Sequence, residues 1–238
     1  MTQAADPASL KRAAAAEALT FVESGMKLGL GTGSTAEAFL DLLGPKVAAG
    51  LKVVGTPTSK RTAERARELG IPIEDLDTLG ELDLVIDGAD EVDHDFSLIK
   101  GGGGALLREK IVAASSKQML VIADSSKLVR KLGAFPLPIE VIPLGHGTTR
   151  GRIIRVSEAL GYSGLAPRLR MKDGAIFVTD NGNYIYDCPY GVITDARKLA
   201  AALSPITGVV EHGLFVDLAT TLVIGGAHGI SVTNRKYT

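Results

Sequence analysis

The chain has 238 residues, of which 45% are hydrophobic and 22% charged, so it can bury a real core in one large domain or two modest ones and is not disordered. A formal net charge of −1, no basic cluster interleaved with aromatics and no tryptophan argue against nucleic acid as a partner. The single Cys188 excludes an internal disulfide and a cysteine-based zinc site, and His94, His146, His212 and His228 lack ligand spacing, so no metal is implied.

Residues 1–17 lack the basic start, apolar core and small-residue cleavage site of a signal peptide. Within them, Asp6-Pro7 predicts a helix start, Asp capping free amides and Pro suiting the first helical position. Leu10, Ala14, Ala18, Leu19 and Val22 then recur near helical spacing until Glu23-Ser24-Gly25 stops the helix. Residues 26–30 predict a strand running into Gly31-Thr32-Gly33-Ser34-Thr35, with a helix over 36–43. A strand, a glycine-rich turn and a helix start present backbone amides and a positive dipole end to an anion. Ser34 stands where a dinucleotide fingerprint needs its third glycine, and no acidic residue takes the ribose-binding part. The absence of Gly-Lys-Ser/Thr excludes a triphosphate P-loop. The hydroxyls of Ser34 and Thr35 suit a single phosphate group; the plain alternative is a tight turn with a capping serine.

Residues 52–55 predict a second strand, followed by Thr56-Pro57-Thr58-Ser59 and a charged helix to Leu69-Gly70. A third strand over 82–86 leads into Asp87-Gly88-Ala89-Asp90-Glu91-Val92-Asp93. Lys100-Gly101-Gly102-Gly103-Gly104 follows, then a helix bearing Glu109. Four glycines are costly unless something needs bare backbone. Two aspartates, a lysine and a glutamate around exposed amides suit proton movement on a polar, anionic molecule. Taken singly, Asp87 and Asp90 could be turn or cap residues, Glu109 a solvated helix residue and the glycines a flexible loop. Such a loop is uncommon inside a compact α/β unit, which favours a site. A strand over 118–123 ends in Asp124-Ser125-Ser126-Lys127, and Lys127 becomes a natural partner for an anion at Ser34 and Thr35. The fold class expected is α/β: an open, mostly parallel, Rossmann-like sheet with its crevice beyond the strand C-terminal ends.

Composition shifts around Gly133-Ala134-Phe135-Pro136-Leu137-Pro138. Beyond it the pattern predicts a strand (139–142), a helix (149–160), strands (167–171, 175–179 and 184–186), a helix (195–203) and a strand (208–211). That order is close to a split βαβ unit, an α+β ferredoxin-like domain. Asp187, Asp195 and Arg197 there suit turns and caps better than catalysis. The segment 219–226 predicts a strand rejoining the first sheet, and the apolar run at 218–232 is too broken by glycines to span a bilayer. The expected organisation is a catalytic α/β domain of residues 1–132 and 210–238, with residues 133–209 inserted as a lid or association domain. A cytoplasmic protein with no membrane partner fits best.

Gly29-Leu30-Gly31-Thr32-Gly33-Ser34-Thr35, Asp87-Gly88-Ala89-Asp90-Glu91, Lys100-Gly101-Gly102-Gly103 with Arg108-Glu109-Lys110, and Asp124-Ser125-Ser126-Lys127 together resemble ribose-5-phosphate isomerases of type A, in order and spacing. The resemblance extends to Gly208-Val209-Val210 and Gly213-Leu214-Phe215, essentially the whole chain. It implies reversible conversion of ribose 5-phosphate to ribulose 5-phosphate in the pentose phosphate pathway, without metal or organic cofactor. It implies Glu109 as the base, and substrate contacts from Thr32, Gly33, Ser34, Thr35, Asp87, Gly88, Ala89, Asp90, Lys100, Gly101, Gly102, Gly103 and Lys127. A homodimer, or a tetramer, is expected from the family. Two departures stand out: an alanine-like residue is expected at Gly104, and Leu107 occupies a position often polar.

The chemistry agrees with the residues. Moving a proton from C2 to C1 passes through a cis-enediol(ate), and its oxyanion needs donors placed beforehand, for which Lys100 and the amides of Gly101, Gly102 and Gly103 are candidates. Asp87 and Asp90 would hold sugar hydroxyls and shuttle the ring-opening proton. Rival readings are a sugar-phosphate sensor, which lacks a helix-turn-helix segment here, a coenzyme A transferase using a glutamate nucleophile, and a nicotinamide dehydrogenase.

Overall fold

The structure, a computed structural model, describes residues 6–236; the leader reading rests partly on residues 1–5, which lie outside the described residues. It divides into two compact units, Met1–Ala89 with Arg108–Leu128 and Asp217–Thr238, and Asp90–Leu107 with Val129–Val216.

The first unit holds a six-stranded sheet in the order Gly229–Asn234, Thr221–Gly226, Met119–Asp124, Leu84–Asp87, Lys27–Leu30, Val54–Pro57. All neighbours are parallel except the first pair, which is antiparallel. Leu84–Asp87 and Met119–Asp124 are buried at every position, as strands covered on both faces must be. Residues 219–226 were expected to return to this sheet, and Thr221–Gly226 does so beside Met119–Asp124. The exposed antiparallel edge strand Gly229–Asn234 was not foreseen, because its six solvent-facing residues carry no burial pattern.

The Pro7–Leu19 helix buries Ala14, Ala15 and Ala18 completely, and these small faces let it lie close on the central strands. With Leu28, Leu30, Phe39, Leu40, Leu43, Ile86 and Ile122 they form the core of this unit. Each of the larger side chains contributes roughly 1.5–3 kcal/mol by leaving water. The helix expected over 36–43 is Ser34–Ala48 and continues through Gly44-Pro45. Pro45 removes a single backbone donor, and beyond it Val47 still packs on the core.

In the second unit a four-stranded antiparallel sheet runs in the order Val209–His212, Leu137–Val141, Tyr184–Cys188, Arg168–Leu169. The helices His146–Ala159 and Ala196–Leu203 follow its first and third strands in the chain. The strands expected over 167–171 and 175–179 are cut short. Met171–Lys172 and Ala175–Ile176 leave the sheet as a separate exposed hairpin, with a positive φ of 51° at Asp173 and 80° at Gly174. A second small sheet orders Leu214–Phe215, Leu98–Ile99 and Glu91–Val92. Ile99, Leu137, Ile139, Ile153, Leu199, Leu203 and Leu214 share the core of this unit.

Candidate active site

In the first unit, Lys27–Leu30 continues through a helix to the strand on one side of it, while Leu84–Asp87 lies on the other side. The chain therefore changes direction between these two strands, the place where open α/β sheets leave a crevice at the strand C-terminal ends. Gly31 and Asp87 meet there: Oδ1 of Asp87 accepts from the amides of Thr32 (3.1 Å) and Gly88 (2.7 Å), and Asp87 is fully buried. A Cβ at Gly31 would sit 2.3 Å from that same oxygen. The glycine thus brings the backbone against the carboxylate.

The Thr32 hydroxyl points into a hydroxyl cluster, 2.7 Å from Thr58 Oγ1, 2.9 Å from Ser59 Oγ and 3.1 Å from Thr62 Oγ1. Thr62 in turn donates to the Gly31 carbonyl at 2.9 Å, so the turn is moored to the start of the Lys60–Glu68 helix. Gly33, at φ 108°, opens the Ser34–Ala48 helix with no side-chain cap, leaving its first amides to whatever binds there. Ser34 is exposed and Thr35 is buried. Lys11, from the first helix, donates to Ser34 Oγ at 3.1 Å. Lys127 is half-buried at the end of a short 3-10 turn after Met119–Asp124, a turn capped by Asp124, which accepts from the Ser126 amide at 3.0 Å. The three parallel strands carry the Gly31–Thr35 turn, Asp87 and Lys127 to one edge of the sheet.

Glu109 lies in the first turn of the Leu106–Ala114 helix and is 4% exposed, an unusual burial for a glutamate. Three residues on, Val112 presses on Gly29, where a Cβ would lie 2.6 Å from its Cγ1. Residues three apart share a helix face, so Glu109 belongs to the face turned to the sheet.

In the second unit, Asp90 receives the Gly102 amide on Oδ2 at 2.7 Å, and its own amide donates to the Ile99 carbonyl at 2.8 Å. Lys100 is 2% exposed, its amide donates to Gly213 at 2.9 Å, and its ammonium lies 5.5 Å from the Phe215 ring centroid. Gly101 is buried, while Gly102 and Gly103 are exposed. Gly104 answers the first departure noted in the sequence: at φ 83° a Cβ there would lie 2.4 Å from the Phe177 ring, so this chain needs glycine. Leu107 is half-buried at the second position of its helix. The neighbouring acids serve the backbone. Glu91 accepts from the amides of Gly133 and Phe135, both at 2.6 Å, and Asp93 accepts from those of Asp95 and Ser97.

A cleft of about 600 Å³ in the first unit, bordered by Lys60, Glu64, Arg67, Glu74, Asp75 and Arg108, contains none of the expected residues. Its acids balance its bases, so it offers an anion no net attraction. Among the described residues no cluster of His, Cys, Asp and Glu could hold a metal ion.

The family model for ribose 5-phosphate isomerase A (phosphoriboisomerase A) matches residues 54–229. Ribose-5-phosphate isomerase A of Nitrobacter hamburgensis is 57% identical over 228 residues, spanning 96% of this chain and 98% of the relative. The chain belongs to the ribose 5-phosphate isomerase A family. The solved ribose 5-phosphate isomerase from Plasmodium falciparum is 39% identical and covers 97% of this chain and 100% of its own, with a TM-score of 0.92. A D-ribose-5-phosphate isomerase solved in complex with phospho-erythronic acid is 38% identical over the same shares, with a TM-score of 0.90. The fold is that of the family: α/β, with a mostly parallel six-stranded sheet and smaller antiparallel sheets. The chain is an enzyme of pentose phosphate metabolism.

Several residues around the glycine-rich turns carry no mark in the sequence of the contacts they make. Lys11 sits in the alanine-rich first helix with nothing to mark it, and only the fold brings it to Ser34. Thr58, Ser59 and Thr62 stand in a polar run after the second strand, and the fold gathers their hydroxyls around that of Thr32. Arg170 follows Arg168 by two residues just past a short strand, and no local pattern points from it to the glycine loop it holds.

Proposed function

We propose that the chain interconverts D-ribose 5-phosphate and D-ribulose 5-phosphate by carboxylate-mediated proton transfer through a cis-enediol(ate). The observation that carries this is end-to-end similarity to the isomerase family, and the near-complete burial of Glu109 supports its reading as the base. In this reading Glu109 takes the proton from C2 and returns it to C1. Lys100 and the amides of Gly101, Gly102 and Gly103 steady the oxygen that gains charge, each such donor worth about 3 kcal/mol in the transition state. Asp87 and Asp90 hold sugar hydroxyls with Gly88 and Ala89 and pass on the ring-opening proton.

The phosphate belongs at Thr32, Gly33, Ser34, Thr35 and Lys127, where uncapped helix amides and a cation favour it. The phosphorylated four-carbon acid bound by a relative supports a ligand of this class. The first sheet is read as the Rossmann-like catalytic half. The second unit, whose four strands and two helices follow a ferredoxin-like order, is read as the lid or association half of a homodimer.

Glu109→Gln keeps the side-chain volume and removes the base. Turnover should fall about 10³-fold, with ribose 5-phosphate binding retained by calorimetry. In deuterated water the wild-type enzyme should yield ribulose 5-phosphate labelled at C1 by NMR. A variant keeping most of its kcat would move the base elsewhere.

A further inference from the structure

Arg170, in the second unit, has no part in the reaction scheme, yet its guanidinium is held on several sides. Its Nη1 donates to the carbonyl of Gly101 at 2.8 Å and to that of Gly102 at 3.2 Å, across 69 and 68 residues of chain. Its Nε and Nη2 grip the Asp187 carboxylate as a fork, at 3.0 and 2.5 Å. The guanidinium stands 5.9 Å from the Phe177 ring centroid, and that ring is the one that closes over Gly104. The side chain is 13% exposed and Asp187 is 27% exposed, so the pair is largely sheltered from water and salt.

From the other side, Asp90 Oδ2 accepts the Gly102 amide. The peptide units around Gly101 and Gly102 are thus held by a cation on their carbonyls and an anion on one amide. The Gly101 carbonyl also accepts the Gly104 amide at 2.9 Å, so Arg170 and Asp90 add their hold to a turn that the backbone itself closes. With the Gly102 amide given to Asp90, it is the Gly103 amide, in the peptide whose carbonyl Arg170 holds, that must already point at an oxygen that acquires charge only during the reaction.

We infer that Arg170, locked by Asp187, is a positioning residue for catalysis, setting the orientation of the Gly101–Gly102 peptides without touching substrate. This rests on the proposal that those peptides serve the enediolate. Lysine cannot replace the fork, because one ammonium cannot reach both the carboxylate and the two carbonyls in the same geometry. A cavity of about 470 Å³ bordered by Gly102, Phe135, Arg168, Arg170 and Asp187 leaves room for a small cation to enter once the side chain is shortened.

The test uses the full-length enzyme and its Arg170→Ala, Arg170→Lys and Asp187→Asn variants, assayed with ribose 5-phosphate after circular dichroism has shown each to be folded. Arg170→Ala should lose kcat by about thirtyfold with KM within about threefold, since the donors act chiefly in the transition state. Guanidinium chloride at low millimolar concentration should restore kcat of Arg170→Ala severalfold and leave the wild type and Arg170→Lys unchanged. Asp187→Asn should lose kcat in the same sense and less. An Arg170→Ala enzyme with wild-type kcat, or one that guanidinium does not restore, overturns the inference. If Arg170→Ala does not fold, wild-type kcat in both Arg170→Lys and Asp187→Asn overturns it equally. A wild-type chain with no isomerase activity would instead overturn the proposed function.

Discussion

A methyl group at Gly31 would overlap Asp87 at Oδ1, Cγ and Cα, at 2.3, 2.4 and 2.6 Å, and one of these contacts is backbone. No rotamer of Asp87 can relieve all three. Gly31→Ala should therefore push the carboxylate out of place, at a cost of about 1–3 kcal/mol from overpacking and a large loss of kcat. Gly88→Ala, whose new Cβ would find its nearest neighbour at 3.8 Å, should cost under about 1 kcal/mol. Denaturant unfolding of the two variants side by side checks the contrast, and equal losses would refute it. At this scale the sequence told much: glycines beside Asp, Lys and Glu are costly, and their cost pointed to a place where backbone must come close. It could not tell which backbone amides each acid takes: Asp87 receives those of Thr32 and Gly88, Asp90 that of Gly102, Glu91 those of Gly133 and Phe135, and Asp93 those of Asp95 and Ser97.

Two strands of the first sheet are tied at their starts by one side chain. Asp83 accepts from the Lys27 amide on Oδ2 at 2.9 Å, pairs with Lys117 Nζ through Oδ1 at 2.9 Å, and donates its own amide to Lys27. The Lys117 hydrogen bond, then the Lys27 amide, hold the Asp83 carboxyl below its ordinary value of 3.8. Because the unfolded chain binds that proton more readily, the contribution is complete above the ordinary value and is lost as pH falls through the depressed one. Asp83→Asn should thus lower the melting temperature by a constant amount from pH 6 to 8. The difference should shrink below about pH 4, as differential scanning calorimetry would record. The pair is exposed to water and salt, so the effect is small. A difference independent of pH down to 3 would show that the carboxylate charge does not matter. Elements were legible wherever burial imposed a period, as in Leu84–Asp87 and Met119–Asp124. They were misjudged where tertiary contact overrode a local stop, as at Gly44-Pro45, or where exposure erased the period, as in Gly229–Asn234.

Cys188 gives the whole molecule a built-in reporter of its second unit. Its thiol is fully buried at the end of Tyr184–Cys188, and burial, with the nearby Asp187 charge, pushes its pKa well up. A thiol kept protonated and covered does not react. Ellman's reagent at pH 8 should therefore leave the native protein unlabelled, and labelling should appear only with the denaturant transition of that unit. Rapid labelling of the native protein would contradict the packing of Cys188 among Leu137, Tyr186 and Leu199.

The amino-acid sequence by itself determined the α/β class, the mostly parallel sheet and the glycine-rich turns at its strand ends, because buried strands and bare glycine turns must be written into consecutive residues. Only tertiary structure decided that Asp90–Leu107 joins the second compact unit, that Lys11 reaches Ser34, and that Arg170 clasps a glycine loop nearly seventy residues away. Those pairings depend on which faces meet after folding, and a contact between distant residues leaves no periodicity in either of them.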